Sequence, residues 1–362
     1  MAWSDHKFSD QYGNARTVLR DETFPDPIKD AQMSLQRVMG DSGFDASSVK
    51  ALDDLRRKAT SVTTGEAPGT QEDGRLLAAA GHAGAPGASL DAPTRKKAAA
   101  LKFLRHIYLL KQRGGQKVWL HSLPTDFNDW PHWALETGSS DAARTLLRST
   151  NQRFTAEQEK NLSDGIQDAL RWCQKTLMLL GSAGGAGQAK ADAMAMIKRW
   201  FADENSDDTQ LASHISDLTA GFKAITGALN RNQIVLTDFP TLRTATGDKE
   251  KGLRNSEAFV WAKAHREALD VIYIEDAFFG DRNVLKGKAN WARIIVHELS
   301  HLVYGTKDVS PGPRYAWYGI APNAANFSSD KAITNAENWA FFCADCAGAI
   351  SDSERSRALT VK

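Results

Sequence analysis

Apolar residues recur at spacings of three and four through the second half of the chain, a pattern that predicts amphipathic helices. The predicted helices cover about residues 155–180, 189–202, 209–229 and 335–350. The first helix begins with a capping-box signature, Thr155 and Gln158, in which each side chain can bond the other residue's backbone amide. The glycine-rich residues 181–187 are interpreted as a connection between two helices.

Three short segments carry β-branched and aromatic residues and predict strands. They cover residues 233–237, 258–262 and 271–275, with polar or turn-rich residues between them. We expect a small mixed or antiparallel sheet with 271–275 at its edge, where unpaired backbone groups can bind an extended peptide by strand addition. The predicted fold class is therefore α+β, mainly helical with a small sheet.

The first 145 residues give weaker signals. Helices are predicted over about residues 27–39, 47–58 and 94–111. Residues 118–136 are rich in Trp, Pro, Asp and His and are interpreted as an irregular connection. Residues 60–95 are dominated by Thr, Gly, Ala and Pro, which bury little apolar surface, so they are interpreted as a flexible linker. We therefore expect a helical N-terminal region over 1–145, followed by a second domain over 146–362.

Charge and composition exclude several kinds of partner. A net charge of +1 gives no electrostatic basis for binding nucleic acid. No apolar run approaches the roughly 18 residues that span a bilayer, so we expect no membrane span. Three cysteines, an odd and sparse count, argue against a disulfide framework. The first residues lack an apolar core behind a basic start, so we expect synthesis in the cytoplasm without a signal peptide.

The strongest chemical signal is the motif His297-Glu298-x-x-His301. Residues four apart on a helix share one face, so the two imidazoles can take two corners of a zinc tetrahedron. Glu298 lies where its carboxylate can accept a proton from a water on the metal. The helix is otherwise apolar, which makes unpaired His and Glu costly to bury. Its apolar stripe consists of Trp291, Ile295, Leu299 and Leu302.

A lone carboxylate follows the motif. Gly305 supplies a helix stop, and Gly305-Thr306-x-Asp308 can fold the chain back so that Asp308 faces the same metal. Two nitrogens and one carboxylate leave the fourth position of Zn²⁺ open, as a catalytic zinc site requires. The sequence therefore predicts Zn²⁺ held by His297, His301 and Asp308.

These motifs resemble the aspzincins, the deuterolysin and peptidyl-lysine metalloendopeptidase family. The resemblance covers about residues 150–362 and implies a zincin-like zinc metalloprotease domain whose third zinc ligand is Asp308. The matching segments are His297-Glu298-x-x-His301, Gly305-Thr306-x-Asp308, Tyr318-Gly319, Asn335-Ala336-Glu337 with Phe342, and Phe154-Thr155.

The resemblance also implies roles for two further residues. The family's Tyr-Gly tyrosine donates to the oxyanion, which points to Tyr318, although the family commonly places it three residues after the Asp, where this chain has Pro311. Tyr315 is a competing candidate. Glu337 matches an acid that binds a basic side chain after the scissile bond in lysine-specific members. An alternative is that Glu337 only supports a helix N-terminus.

The leading hypothesis is a zinc-dependent endopeptidase that hydrolyses peptide bonds in proteins, with the zinc-bound water activated by Glu298. Similar bacterial domains are attached to contact-dependent delivery systems, so the chain could be an exported toxin or effector with a secretion machinery or an immunity protein as partner. One alternative is a hydrolase of peptidoglycan cross-links. Another is a non-catalytic zinc-binding adaptor, against which the intact Glu298 argues.

Overall fold

The computed structural model describes residues 7–21, 39–40, 43–44, 107–111, 117–123, 125, 153–231, 234–243, 246–261, 267–309 and 315–360. Apart from Met39, the helices predicted over 27–39 and 47–58 lie outside these residues, as does the linker predicted near 60–95. The helices are α1 (Phe8–Asp21), α2 (Ala156–Ala183), α3 (Gly187–Phe201), α4 (Asp208–Asn230), α5 (Asp248–Arg254), α6 (Gly287–Leu299), α7 (Ser329–Thr334), α8 (Ala336–Cys346) and α9 (Asp352–Leu359). The strands are β1 (Met39–Gly40), β2 (Gly43–Phe44), β3 (Ile107–Lys111), β4 (Lys117–His121), β5 (Ile234–Thr237), β6 (Ala258–Phe259) and β7 (Asp270–Ile274).

The larger sheet has the strand order β3-β4-β5-β7-β6. The three inner strands β4, β5 and β7 run parallel, and the outer strands β3 and β6 are antiparallel to their neighbours. Together with the helices, this sheet confirms the α+β fold class. The helices predicted in the second half of the chain and the strands predicted near 233–237 and 271–275 are present.

Two segments of the N-terminal half are strands where the sequence pattern predicts other structure. β3 lies in the predicted helix 94–111 and β4 lies in the predicted irregular connection, so both predictions are wrong for these residues. Val118, Trp119 and Leu120 in β4 are at most 2% exposed. A strand buried on both faces carries a continuous apolar run, which hydrophobic spacing does not distinguish from other buried structure.

The position of the edge strand is also a correction. The sequence places residues 271–275 at the edge, but β7 is an inner strand with five buried residues. β6 pairs with it through Ala258↔Ile274 and Phe259↔Tyr273 and, among the described strands, forms the edge instead. The error arises because the place of a strand in a sheet depends on which strands pair, and local sequence does not record the pairing.

Close helix packing builds the core around α6. Gly165 in α2 lets the two helices approach, since a Cβ there would lie 3.0 Å from Ile295 Cδ1. Gly221 in α4 makes room for Trp339 of α8 in the same way, because a Cβ would lie 2.2 Å from the Trp339 ring. Gly165 thus allows α6, the helix of the His-Glu-x-x-His motif, to pack closely on α2, and Gly221 allows α8 to pack closely on α4. Among the described residues, no helix is both long enough and apolar enough to cross a membrane.

The N-terminal helix packs on the sheet. Phe8 is fully buried, and its backbone N–H donates to the Tyr273 hydroxyl of β7 at 3.1 Å. The Ser9 N–H donates to Glu267 Oε2 at 2.9 Å, and the Tyr12 ring meets Trp119 of β4 edge-on. Within the first 145 residues, β3 and β4 therefore belong to the larger sheet, and α1 packs against it. The boundary near residue 145 stays a prediction.

Candidate metal centre

The helix that carries the His-Glu-x-x-His motif ends in a widened turn. α6 continues as a π-helical turn over Ser300–Tyr304, and Gly305 ends it with φ 91°. The Gly305 N–H donates to Ser300 O at 2.9 Å. Glycine adopts this left-handed conformation at little cost, so the predicted helix stop is confirmed. Ile295 and Leu299 are fully buried, as the predicted apolar stripe requires, while Trp291 is only partly buried.

Three ligand-type side chains meet beside this turn. His297 Nε2 lies 3.1 Å from His301 Nε2 and 3.2 Å from Asp308 Oδ1, and His301 Nε2 lies 3.6 Å from Asp308 Oδ1. We call this triplet the His/His/Asp cluster. It is the only group of three or more His, Cys, Asp or Glu side chains with such close ligand atoms among the described residues.

Hydrogen bonds at the opposite ring nitrogens orient both imidazoles. His301 Nδ1 lies 2.7 Å from Thr306 O, an acceptor only, so Nδ1 carries the proton and Nε2 keeps its lone pair. His297 Nδ1 lies 3.1 Å from Glu337 Oε2, which fixes the same tautomer. In the neutral form of the imidazoles, which is the form that binds a metal, the two Nε2 atoms and the Asp308 oxygen converge as three acceptors.

The donor set fits zinc. Two ligands about 2.0–2.1 Å from a tetrahedral metal lie about 3.3 Å apart. The three separations of 3.1, 3.2 and 3.6 Å in the His/His/Asp cluster match that spacing. Metal-ligating histidines commonly donate their other ring N–H to a carboxylate or a backbone carbonyl, and both partners are present here.

The electrostatics of the cluster favour a positive charge. Burial opposes protonation of His297, but Asp308, Glu337 and Glu298 outweigh it and raise the pKa of His297 to about 10. Burial also opposes ionisation of Asp308, yet His297 and His301 hold its pKa well below the usual range. Burial raises the pKa of Glu298, and the two imidazoles offset part of the rise. A cation bound between these groups would satisfy all of them.

Glu337 lies behind the cluster and is fully buried. Its Oε2 accepts from Arg293 Nη1 at 2.7 Å and from His297 Nδ1 at 3.1 Å, and its Oε1 accepts from Ala316 N at 3.3 Å. The substrate-binding role inferred from the sequence needs a carboxylate that a substrate side chain can reach. This burial favours a different role, in which Glu337 acts through His297.

The two candidate tyrosines are placed differently. The Tyr315 hydroxyl donates to Asp308 Oδ2 at 3.3 Å, and its ring stacks on His297 with centroids 6.2 Å apart. Tyr318 is 54% exposed and its ring packs beside Trp317. The structure brings Tyr315 to the cluster, whereas a role for Tyr318 stays a prediction.

Sequence reasoning missed Arg293, which is 1% exposed and contacts Glu337. A signal was available, because Arg293 precedes His297 by four residues and so shares its helix face. An arginine on the apolar side of a helix is rarely buried without a partner. The partner itself, 44 residues away, could not be read from the pattern.

Comparison with known proteins agrees with this geometry. Residues 186–344 match the family model of the aspzincins, described as lysine-specific metallo-endopeptidase. The match runs from α3 to α8 and includes the three residues of the His/His/Asp cluster, Glu298 and Glu337. A search of curated proteins found no significant match. The match supports membership of this segment in the aspzincins, a family of zinc-dependent metallo-endopeptidases.

Proposed function

We propose that this chain is a zinc endopeptidase that cleaves peptide bonds in proteins, with His297, His301 and Asp308 as its zinc ligands. The observation that carries the proposal is the convergence of three acceptor atoms at 3.1–3.6 Å, with both imidazoles oriented from behind. When bound, zinc would polarise the scissile carbonyl and lower the pKa of a coordinated water. The chain's own residues supply the remaining steps.

Glu298 is the proposed general base. It follows the first ligand directly, is 6% exposed, and has a pKa raised by burial above that of an ordinary carboxylate. A carboxylate at this position can accept a proton from a water on the metal. Glu298 therefore takes a proton from the attacking water and passes it to the leaving amine.

Tyr315 is the proposed hydrogen-bond donor to the developing oxyanion. Its hydroxyl already lies 3.3 Å from Asp308 Oδ2, at the margin of the cluster. Burial and the surrounding carboxylates raise its pKa, so the hydroxyl keeps its proton and remains a donor. A donor aimed at the developing negative charge stabilises the transition state more than the ground state.

The proposed substrate path follows strand β6. This strand is the edge of the sheet on the side of α6, and the residue before it, Glu257, bonds both Asn290 and Arg293 of that helix. An edge strand offers unpaired backbone groups that an extended peptide can pair with. Such pairing selects extended protein segments and leaves side-chain preference to other contacts.

Cleavage of casein and of internally quenched peptides tests the proposal. We expect activity that a chelator removes and stoichiometric Zn²⁺ restores. Tyr315→Phe should lower kcat about 100-fold, as loss of one oxyanion donor does, while the matched Tyr318→Phe should change it less than about threefold. Equal losses in both variants would contradict the assignment of Tyr315, and absence of any zinc-dependent cleavage would contradict the proposed function.

Roles as a delivered toxin or as a peptidoglycan hydrolase stay predictions, because no contact among the described residues bears on delivery or on that substrate. The buried Glu298 beside the ligands weighs against a purely structural zinc site.

A further inference from the structure

Glu337 occupies the position where the family's lysine-specific members bind the substrate, but its surroundings here differ from those of a substrate pocket. The side chain is fully buried, and three donors engage its two oxygens: Arg293 Nη1, His297 Nδ1 and Ala316 N. A carboxylate accepts about four hydrogen bonds, so little capacity remains for a further donor. Because the carboxylate is fully buried, a substrate ammonium group could reach it only if the surrounding packing opened.

Arg293 is the strongest of the three partners. It is 1% exposed, and its guanidinium bridges Glu337 on α8 and Glu257 before β6, while its Nε donates to Asn290 Oδ1 at 2.9 Å. Its charge is therefore compensated on both sides inside the protein. Removing a carboxylate from such a pair leaves an uncompensated buried charge.

The same oxygen of Glu337 that binds Arg293 also accepts from His297 Nδ1. Arg293 thus fixes the carboxylate, and the carboxylate fixes the ring of His297 with Nε2 towards Asp308. Such carboxylate–histidine contacts orient metal ligands, and their loss commonly lowers metal affinity about 10–100-fold. The ion pair between Arg293 and Glu337, together with the contact from Glu337 to His297, accounts for the burial of both charged residues.

We propose that Glu337 and Arg293 are positioning residues for the zinc ligand His297, and that Glu337 does not select a basic residue in the substrate. This inference rests on the proposed function for its substrate part, whereas the positioning of His297 stands on zinc binding alone. Cleavage by this chain then depends on the edge strand and not on a lysine after the scissile bond.

The Glu337→Gln variant of the full chain tests both parts. Zinc affinity is measured at pH 7 by competition with a chromophoric chelator, and kcat and KM are measured on two peptides that differ only in lysine or its uncharged isostere norleucine after the scissile bond. We expect zinc affinity to fall 10–100-fold. At saturating zinc, we expect kcat to fall by an equal factor for the lysine peptide and the norleucine peptide. The wild type should cleave the two peptides at rates within about fivefold of each other.

Two further variants keep the result interpretable. Arg293→Lys retains the charge but cannot bridge Glu337 and Glu257 with a planar guanidinium, and it should also lower zinc affinity. This variant supplies the test if Glu337→Gln fails to fold. Glu257→Gln removes the other partner of Arg293 while leaving the Glu337–His297 contact, and should change zinc affinity less than about threefold. Circular dichroism verifies that each variant is folded.

The outcomes separate the two proposals. Unchanged zinc affinity, with a KM increase confined to the lysine peptide, would overturn the positioning role and restore substrate binding by Glu337. A loss as large in Glu257→Gln would overturn the specific role of Glu337. Zinc binding without cleavage of either peptide would refute the proposed function, while the affinity measurements would still decide how His297 is held.

Discussion

Two buried polar clusters in this protein contain similar residue types but differ in arrangement. In the His/His/Asp cluster, three acceptor atoms face one another at 3.1–3.6 Å. The second, which we call the strand-end cluster, lies after β5 and β7 and consists of Arg153, Arg243, Asp238 and Glu275. There Asp238 Oδ2 lies 3.4 Å from Arg153 Nη1 and 3.0 Å from Arg243 Nε, so opposite charges are neighbours.

The difference teaches that buried charge alone does not mark a metal site. Each guanidinium of the strand-end cluster meets a carboxylate, so this cluster compensates its own charges and can act as a structural link between segments. Arg243 Nη2, for example, donates to Leu123 O at 2.9 Å. The His/His/Asp cluster instead turns three ligand-type atoms towards one another, an arrangement that a bound cation can hold together.

The largest expected effect comes from changing the base beside the His/His/Asp cluster. Glu298→Gln keeps the shape of the side chain but removes its ability to take a proton. We expect kcat/KM to fall about 10³-fold or more, with zinc retained. The matched control Glu159→Gln, at a half-buried carboxylate of α2 whose pKa burial raises to about 7, should leave activity within about twofold. Loss of zinc together with activity would contradict the role of Glu298 as base.

The strand-end cluster should respond in stability and not in chemistry. Asp238 is fully buried between two arginines, so Asp238→Asn removes the carboxylate that Arg243 and Arg153 share, and Arg153 keeps its contacts with Asp276 and Glu275. We expect the free energy of unfolding to fall by about 3–5 kcal/mol, measured by urea denaturation, with zinc content per folded chain unchanged. Asp352→Asn breaks an exposed contact with Arg355 and should have no measurable effect. A change in zinc affinity in Asp238→Asn would show that the two clusters are coupled.

A smaller expected effect is a pH dependence of stability that comes from the strand-end cluster. Glu275 is 2% exposed, and burial raises its pKa to about 8, with Arg153 opposing part of the rise. The pKa of Glu275 is higher in the folded state than in the unfolded state, so ionisation of this carboxyl group destabilises the fold. The stability associated with its neutral form is complete below about pH 4.5 and is lost as the pH rises to about 8. Glu275→Gln should therefore stabilise the protein relative to wild type at pH 8.5 and should have a much smaller effect at pH 5. Urea midpoints at the two pH values measure this, and an equal difference at both would exclude titration of Glu275 as the cause.

The local parts of the site could be predicted from sequence because they lie close together in the chain. His297, Glu298, His301, Gly305 and Asp308 span twelve residues, so helical spacing and one glycine stop largely determine their geometry. The same holds for α2, whose predicted capping box between Thr155 and Gln158 is present. Short-range rules were sufficient wherever the partner lay within a few turns.

The remaining features depend on distant partners. Arg293 and Glu337 meet across 44 residues, and a contact of that range leaves no trace in local periodicity. β4 is a strand because β3 and β5 flank it, and β5 comes more than 100 residues later. The order of β6 and β7 at the sheet edge likewise depends on pairing and not on composition.

Zinc stoichiometry by mass spectrometry, in the wild type and in Asp308→Ala, tests the central claim most directly. We expect one zinc per wild-type chain and less than about a tenth of that in the variant after dialysis, because two imidazoles alone hold the metal weakly. The exposed-carboxylate control Asp352→Ala should retain one zinc. A wild-type chain that binds no zinc, or an Asp308→Ala chain that retains it fully, would contradict the assignment of the His/His/Asp cluster as the metal centre.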